Sequence, residues 1–313
     1  MTTHDTVHVL YENEAWLPPL VAGLEAEGLP CRLVPVVDGA IDIAEAPPPG
    51  IWLNRMSPSS HTRGHGTSVA LMGEVLAWLE SWGSRVVNGT RAYLLEMSKL
   101  RQHLALARHG IRTPRTVLCV GREALLAAAE GFEGAFITKH NRGGKGLGIA
   151  LYRSAGELAR ATLEPGWDPG PESQVLVQQY ITPREPFITR VEIVGGRFLF
   201  AMRSSTQGGF ELCPADACQM PPPSPDVCPA DGGADKFAPA PLTADDPLVQ
   251  AYLDLCRAEG VEIAGIEYVE DEAGERWTYD INGTTNYNSA LGARVGVDGM
   301  REVARYLRGL VAA

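Results

Sequence analysis

The sequence predicts an α/β (α+β) protein in which a small parallel α/β layer precedes a larger region of paired strands and helices. Three observations predict it. Over the first ~95 residues, short apolar runs alternate with segments of helical spacing, the order that builds a parallel sheet. Later in the chain, strand-like runs follow one another directly, as "FITRVEIV" and "RFLFAMRSS" do across the hairpin dipeptide Gly195-Gly196. Finally, 313 residues that are 45% hydrophobic and 21% charged suffice for two or three units with real cores.

The elements follow in order. "TVHVLYEN" (6–13) reads as a buried strand, 17–28 as a helix stopped by Gly28, and 31–37 and 50–56 as strands. "SVALMGEVLAWLESWG" has helical spacing and "RVVNG" reads as a strand. Residues 91–111 show the pattern of one long amphipathic helix. The stretch "TPRTVLCV", a short helix "REALLAAAEGF" and strand "GAFITKH" lead into a glycine loop, followed by strand "IALYRS", helix "AGELARATL" and strand "QVLVQQYI". After the hairpin, 219–241 is rich in Pro, Ala and Asp and reads as an irregular surface loop. A helix at 245–260, strands "EIAGIEYVED" and "RWTYDING", and a helix at 298–312 complete the chain, with no internal repeat.

Composition narrows the function classes. A formal charge of −11 argues against a general binder of nucleic acid or membrane surfaces, which needs a basic face. No run is long and apolar enough to span a membrane, and the first residues do not read as a signal peptide, so a cytoplasmic location is expected. Three of the six cysteines, Cys213, Cys218 and Cys228, fall close together; with Cys256 they could form a zinc site, and reduced cytosolic thiols are the alternative.

The glycine loop carries the first chemical signal. "ITKHNRGGKGLGIALYRS" is strand, loop, strand, and matches neither a Walker loop nor a Rossmann fingerprint. Glycines let backbone N–H groups approach phosphate oxygens without a Cβ in the way, and Lys139 at the strand end can set its ammonium beside them. A plain hairpin explains Gly143 and Gly144, less readily Gly146 and Gly148 as well. A second signal lies near the end. Asp280 and Asn282 are two apart on one strand and so share a face, with Glu267 on a neighbouring strand; three oxygen donors suit Mg²⁺, while solvent-facing acids are the plain alternative.

In this order "MSKLRQHLALARHGIRTPRT", the glycine loop, "VLVQQYI", "FITRVEIVGGRFLFAMR" and "GIEYVEDEAGERWTYDINGTTNYN" resemble the ATP-grasp superfamily, and within it the RimK-like carboxylate–amine ligases, over residues 86–290. The resemblance implies an ATP-grasp fold of two subdomains gripping ATP, behind an N-terminal α/β domain. The expected limits are 1–90, 91–181 and 182–313. It implies ATP with Mg²⁺, or Mn²⁺ in its place, and a carboxylate, by analogy glutamate, joined through an acyl phosphate to an amine. Both substrates are expected to be small molecules or peptides, and a homo-oligomer is compatible.

Residue by residue, the resemblance gives Lys99 and Lys139 to the nucleotide phosphates, with Ser98 where the family has aspartate and His140 where it has proline. Gly143, Gly144, Lys145 and Gly146 become a flap over the phosphates. Gln178, Gln179, Tyr180 and Ile181 become the adenine hinge, through the backbone of Gln179 and Ile181, and Glu185 is the expected ribose ligand. Glu267, Asp280 and Asn282 become the metal set, with the family's Asp and Glu exchanged. Arg190 and Arg203 are expected at the γ-phosphate and acyl phosphate, with Ile188 in the family's aspartate slot. For the substrate, "NRMSPSSHTRGHG" (54–66) follows a strand end, and Arg55 and Arg63 are expected to hold a carboxylate, with Asn286 of "TTNYN" beside it. His61 and His65 are not expected to form a zinc pair. An ATP-binding regulatory protein without turnover is the rival from another class.

Overall fold

A computed structural model describes residues 5–144, 146, 148–206 and 236–312. The expectations for Lys145, for Cys213, Cys218 and Cys228, and for most of 219–241 therefore lie outside the described residues.

The first sheet is all parallel. Strand β1 (Val7–Tyr11) leads through helix α1 (Pro18–Ala26) to β2 (Cys31–Pro35), then β3 (Ile51–Arg55), helix α2 (Ser68–Ser81) and β4 (Arg85–Val87), in the order β2-β1-β3-β4. Alternating side chains serve two cores, as expected of a sheet covered on both faces. Val7, Val9, Ile51 and Leu53 pack on Leu20 and Leu24 of α1, whereas Leu10 and Trp52 meet Met72, Leu76 and Leu79 of α2.

Residues 91–111 form two helices, not the single one expected: α3 (Thr90–Glu96) and α4 (Lys99–Arg108). Ser98 makes the break. Its backbone is extended (φ −146°, ψ 109°) and its side chain accepts from the Arg101 amide, which caps α4. The break leaves Lys99 as the first residue of α4, at the end nearest the glycine loop, where its amide donates to the Asn141 carbonyl at 2.9 Å.

The second sheet comes from β5 (Thr116–Val120), helix α5 (Arg122–Glu130), β6 (Phe136–His140), β7 (Ala150–Tyr152), helix α6 (Ala155–Ala161) and β8 (Gln174–Gln179), ordered β5-β8-β6-β7 and antiparallel throughout. Phe136, Val175 and Val177 bury one face against Leu125 and Leu158 of the two helices. Lys139, paired with Leu176, points to the other.

The third sheet has the order β11-β10-β9-β12-β13. Its strands are β9 (Phe187–Val194), β10 (Arg197–Ser205), β11 (Phe237–Pro239), β12 (Ile263–Glu270) and β13 (Arg276–Asn282). Helix α7 (Pro247–Glu259) precedes β12, while α8 (Ser289–Val295) and α9 (Gly299–Val311) close the chain. Sequence reading missed α8, and it missed β11 inside the stretch taken as irregular loop. Gly195 and Gly196 do make the hairpin, both with positive φ (59° and 70°). One face of this sheet, with Val191, Ile193, Ala201, Ile266 and Ile281, packs on α4 and α7 through Leu106, Val249 and Tyr252. The other face carries the polar residues described below.

The C-terminal helix returns to the N-terminal layer. Met300, Val303 and Leu307 of α9 join the core of α1 and β1, together with Val194 and Ile263. Asn88 adds a polar link, with its amide donating to the carbonyls of Ile263 (2.8 Å) and Gly283 (3.0 Å) and accepting from the Glu262 amide (2.8 Å). Among the described residues no helix is long and apolar enough to cross a membrane.

Candidate active site

One cavity of about 210 Å³ opens between the second and third sheets, with the N-terminal layer closing one end. On the third sheet the pairing register sets its chemistry. Arg190 lies opposite Glu267, Glu267 opposite Asp280, and Gly265 opposite both Glu192 and Asn282. Directly opposed residues share a face, so these charged side chains form one patch. A β-bulge between Glu267 and Tyr268 leaves Tyr279 without a direct partner. Its hydroxyl donates to Glu267 Oε2 at 3.3 Å, so the irregularity adds a donor to the patch.

Arg190 is buried and fully engaged. It donates to Glu192 (2.6 Å), Glu267 (2.8 Å) and Thr285 Oγ1 (2.8 Å). A Cβ on Gly265 would stand 2.1 Å from the guanidinium, so only glycine admits this path across the sheet. Asp280 pairs with Lys99, and Asn282 Nδ2 lies 3.3 Å from Asp280 Oδ2. Burial works against the charge of Asp280, but Lys99 and Lys139 outweigh it and hold the carboxyl below its usual range. Burial instead raises Glu267, with Arg190 opposing.

Lys139 approaches from the second sheet. Its ammonium lies 3.4 Å from the Tyr279 carbonyl and 5.6 Å from the Tyr279 ring centre, and among the described residues no carboxylate comes within ion-pair distance. Burial first, then the charge of Lys99, lowers its pKa to about 7. The loop residues Gly143, Gly144 and Gly146 line the same cavity, as do Gln178 to Ile181. The Gln179 amide is already bound to the Arg115 carbonyl at 2.8 Å, which leaves the Gln179 carbonyl, and not its N–H, for the expected adenine contact. His140 is held by the Asp168 carbonyl at 3.1 Å and fitted between Gly148 and Gly170, where a Cβ would meet its ring at 2.7 Å and 2.4 Å.

Four expectations are corrected. Arg203 faces Thr189 across the hairpin, on the sheet face opposite Arg190, with its guanidinium 4.0 Å from the Phe187 ring centre. Glu185 does not line the cavity either; it lies 3.7 Å from Arg203 with 57% of its side chain exposed. Arg55 is buried and occupied, donating to the Thr285 carbonyl (2.9 Å) and Asn286 Oδ1 (2.6 Å), so it braces Asn286 and offers no free charge. Burial lowers its pKa to about 10. Arg63 pairs with Glu12, which also holds His65 at 3.0 Å. Asn286 itself does line the cavity.

Sequence reading also missed residues. Glu192 was detectable, because it stands two after Arg190 in an apolar strand and must share its face. Glu96 was less so; it is one acid in a helical pattern, but it lines the cavity and accepts from the Thr284 amide (2.9 Å) and hydroxyl (3.2 Å). Trp16, Ser57 and Ser59 form the N-terminal wall.

Two sheets facing one cavity, with lysines and a glycine loop lining it beside a set of acids, are the arrangement of an ATP-grasp fold. Residues 97–212 match the family model of the RimK-like ATP-grasp domain. It is 27% identical over 245 residues to a probable alpha-L-glutamate ligase of Xanthomonas campestris pv. campestris, covering 77% of this chain and 76% of that one. A probable alpha-L-glutamate ligase of Teredinibacter turnerae is 30% identical over 148 residues, 46% of this chain; there the match spans about half of the relative, 48%. The RimK domain protein of Sphaerobacter thermophilus has the same fold, with a TM-score of 0.64 at 21% identity over 96% of this chain and 98% of that one.

Proposed function

We propose that this chain is an ATP-dependent ligase that joins the carboxylate of an amino acid or peptide to an amine through an acyl phosphate, releasing ADP and phosphate. The observation that carries this reading is the convergence of Lys99, Lys139, the glycine loop and the Glu267–Asp280–Asn282 set on one cavity. Phosphoryl transfer needs positioning and charge compensation more than a protein nucleophile, and that is what these groups supply.

Lys139 and Lys99 would bind the phosphates and the glycine loop would cover them. The 178–181 strand end would seat the base beside Ile137 and Ile149. Glu267, Asp280 and Asn282 fit a hard cation, since all three present oxygen and no thiolate or imidazole stands among them. Among the described residues no three His, Cys, Asp or Glu side chains cluster, so the amide oxygen of Asn282 is needed as the third ligand. Magnesium held there, or manganese in its place, would neutralise phosphate charge. Arg190, fixed by two carboxylates and Thr285, would orient the acyl group as it accepts phosphate.

The test is ADP and phosphate release from ATP–Mg²⁺ across amino acids and small peptides, singly and in pairs. Release that depends on both a carboxylate and an amine is expected. Asp280→Asn should lower it by about a thousandfold or more, while ATP alone still binds. Measurable ATP binding with no release for any pair would favour the regulatory reading instead.

A further inference from the structure

The N-terminal end of the cavity has an unusual charge arrangement. Its nearby cations are spent: Arg55 on Asn286 and the Thr285 carbonyl, Arg63 on Glu12, Arg190 on Glu192 and Glu267. Its acid is not. Among the described residues the buried carboxylates are Glu12, Glu27, Glu96, Glu192 and Glu267, and four of them have an arginine within ion-pair distance. Glu96 is the exception. It is 7% exposed, lines the cavity, and among the described residues is held by the amide and hydroxyl of Thr284. The Ser57 and Ser59 hydroxyls, 2.8 Å from each other, line the same end.

A buried carboxylate facing an open cavity without a cation is a site for one. An ammonium brings one charge and three donors, matching a carboxylate and neighbouring hydroxyls. Lys99, three residues after Glu96, marks the phosphate side, so the carboxyl stands where the phosphate end meets the N-terminal wall. A nucleophile bound there would stand beside the phosphate end of the same cavity. Burial raises the Glu96 carboxyl to about 7, which the Thr284 bonds and the more distant Arg55 oppose; this is the state of an acid waiting for a cation.

Resting on the ligase reading above, we propose that Glu96, with the Ser57 and Ser59 hydroxyls, is the subsite for the ammonium group of the acceptor amine. In the transfer step the nitrogen lone pair forms the C–N bond, the C–O bond to phosphate breaks, and phosphate leaves with that electron pair. Of the two protons the ammonium nitrogen sheds, one passes to the Glu96 carboxylate and the other leaves with the phosphate. The N-terminal wall thus reads an amine, where its arginines had suggested a carboxylate.

The experiment separates the two halves of the reaction. Each proteinogenic amino acid is supplied first as carboxylate donor with hydroxylamine, which is uncharged at neutral pH, and hydroxamate is measured. The same amino acids are then supplied as acceptors for the donor so found. Glu96→Gln should keep hydroxamate formation with an unchanged donor KM, and raise the KM of the ammonium acceptor by about 30-fold or more. Glu96→Asp, which keeps the charge but shortens the reach, should recover part of that loss. If the carboxyl only braces Thr284, the order reverses: Gln keeps the acceptor in place and outperforms Asp, and both half-reactions fall together. A raised donor KM in the hydroxamate assay would assign the site to the donor's ammonium and overturn the proposal. So would a raised Mg²⁺ requirement at constant acceptor KM. Wild-type protein that forms neither hydroxamate nor phosphate with any donor would remove the ligase reading itself, a result distinct from all of these.

Discussion

The two walls of the cavity hold their buried cations in opposite ways. On the third sheet Arg190 is surrounded by its own protein: Glu192, Glu267 and Thr285 take up its donors at 2.6 to 2.8 Å. On the second sheet Lys139 has a carbonyl at 3.4 Å, and Lys99 nearby opposes its charge. A guanidinium stays charged when buried and is fixed by forked contacts, whereas an ammonium loses its proton when nothing answers it. The protein itself answers the charge of Arg190, and it leaves that of Lys139 largely unanswered.

Removing the answered cation should produce the largest effect. Arg190→Met leaves Glu192 and Glu267 buried without their partner, a loss on the order of 3–5 kcal/mol of folding stability. Denaturant unfolding should show it as a lower midpoint, and turnover should vanish with it. A midpoint equal to the wild type would mean that the two acids are protonated in the native state, and the description of this wall would fail.

This contrast was only partly legible in the sequence. Parallel-sheet alternation, the Gly195-Gly196 turn and the shared face of Asp280 and Asn282 follow from short-range rules, and the structure has all three. The break at Ser98 was legible too, since a serine before a lysine-led turn is a capping signal, but the apolar period ran through it. Arg203 was not legible. A two-glycine hairpin in regular register pairs residue 203 with Ile188 and puts its side chain on the face of Arg190. A β-bulge between Phe198 and Phe200 shifts the pairing by one, so Arg203 meets Thr189 and turns to the opposite face. No residue type in "RFLFAMRSS" announces that bulge. The engagement of Arg55 and Arg63 was hidden for a related reason, because their partners Thr285, Asn286 and Glu12 stand far away along the chain or on another element.

The wall of Lys139 offers an intermediate effect that is read as protons rather than as rate. With a native pKa of about 7, well below the ordinary lysine value, Lys139 is largely neutral at pH 8 in the free protein. Phosphate oxygens beside it favour the charged form, so ATP should bind at pH 8 with uptake of a sizeable fraction of one proton at this site. Calorimetry in buffers of different ionisation enthalpy measures that uptake, and Lys139→Met should abolish it while weakening binding. The same shift has a sign for stability. The unfolded state binds the extra proton between pH 7 and the ordinary lysine range, so this group's contribution to stability rises as pH increases through that window. Proton release on binding, or uptake that survives Lys139→Met, would contradict the description of the second wall.

The smallest effect is expected at Arg203, which separates the face of the third sheet from the sheet itself. It shares that sheet with Arg190, yet its carboxylate partner is Glu185 at 3.7 Å, with both side chains substantially exposed. Such a pair contributes about 0–1 kcal/mol, and the contact with the Phe187 ring adds a similarly small amount at an exposed position. Arg203→Ala should therefore move the unfolding midpoint only slightly and leave kcat and the KM for ATP within about twofold of the wild type. A loss of turnover as severe as that of Arg190→Met would show that Arg203 reaches the reacting phosphate after all. The bulge would then have to relax when substrates bind, returning residue 203 to the register that the hairpin alone predicts.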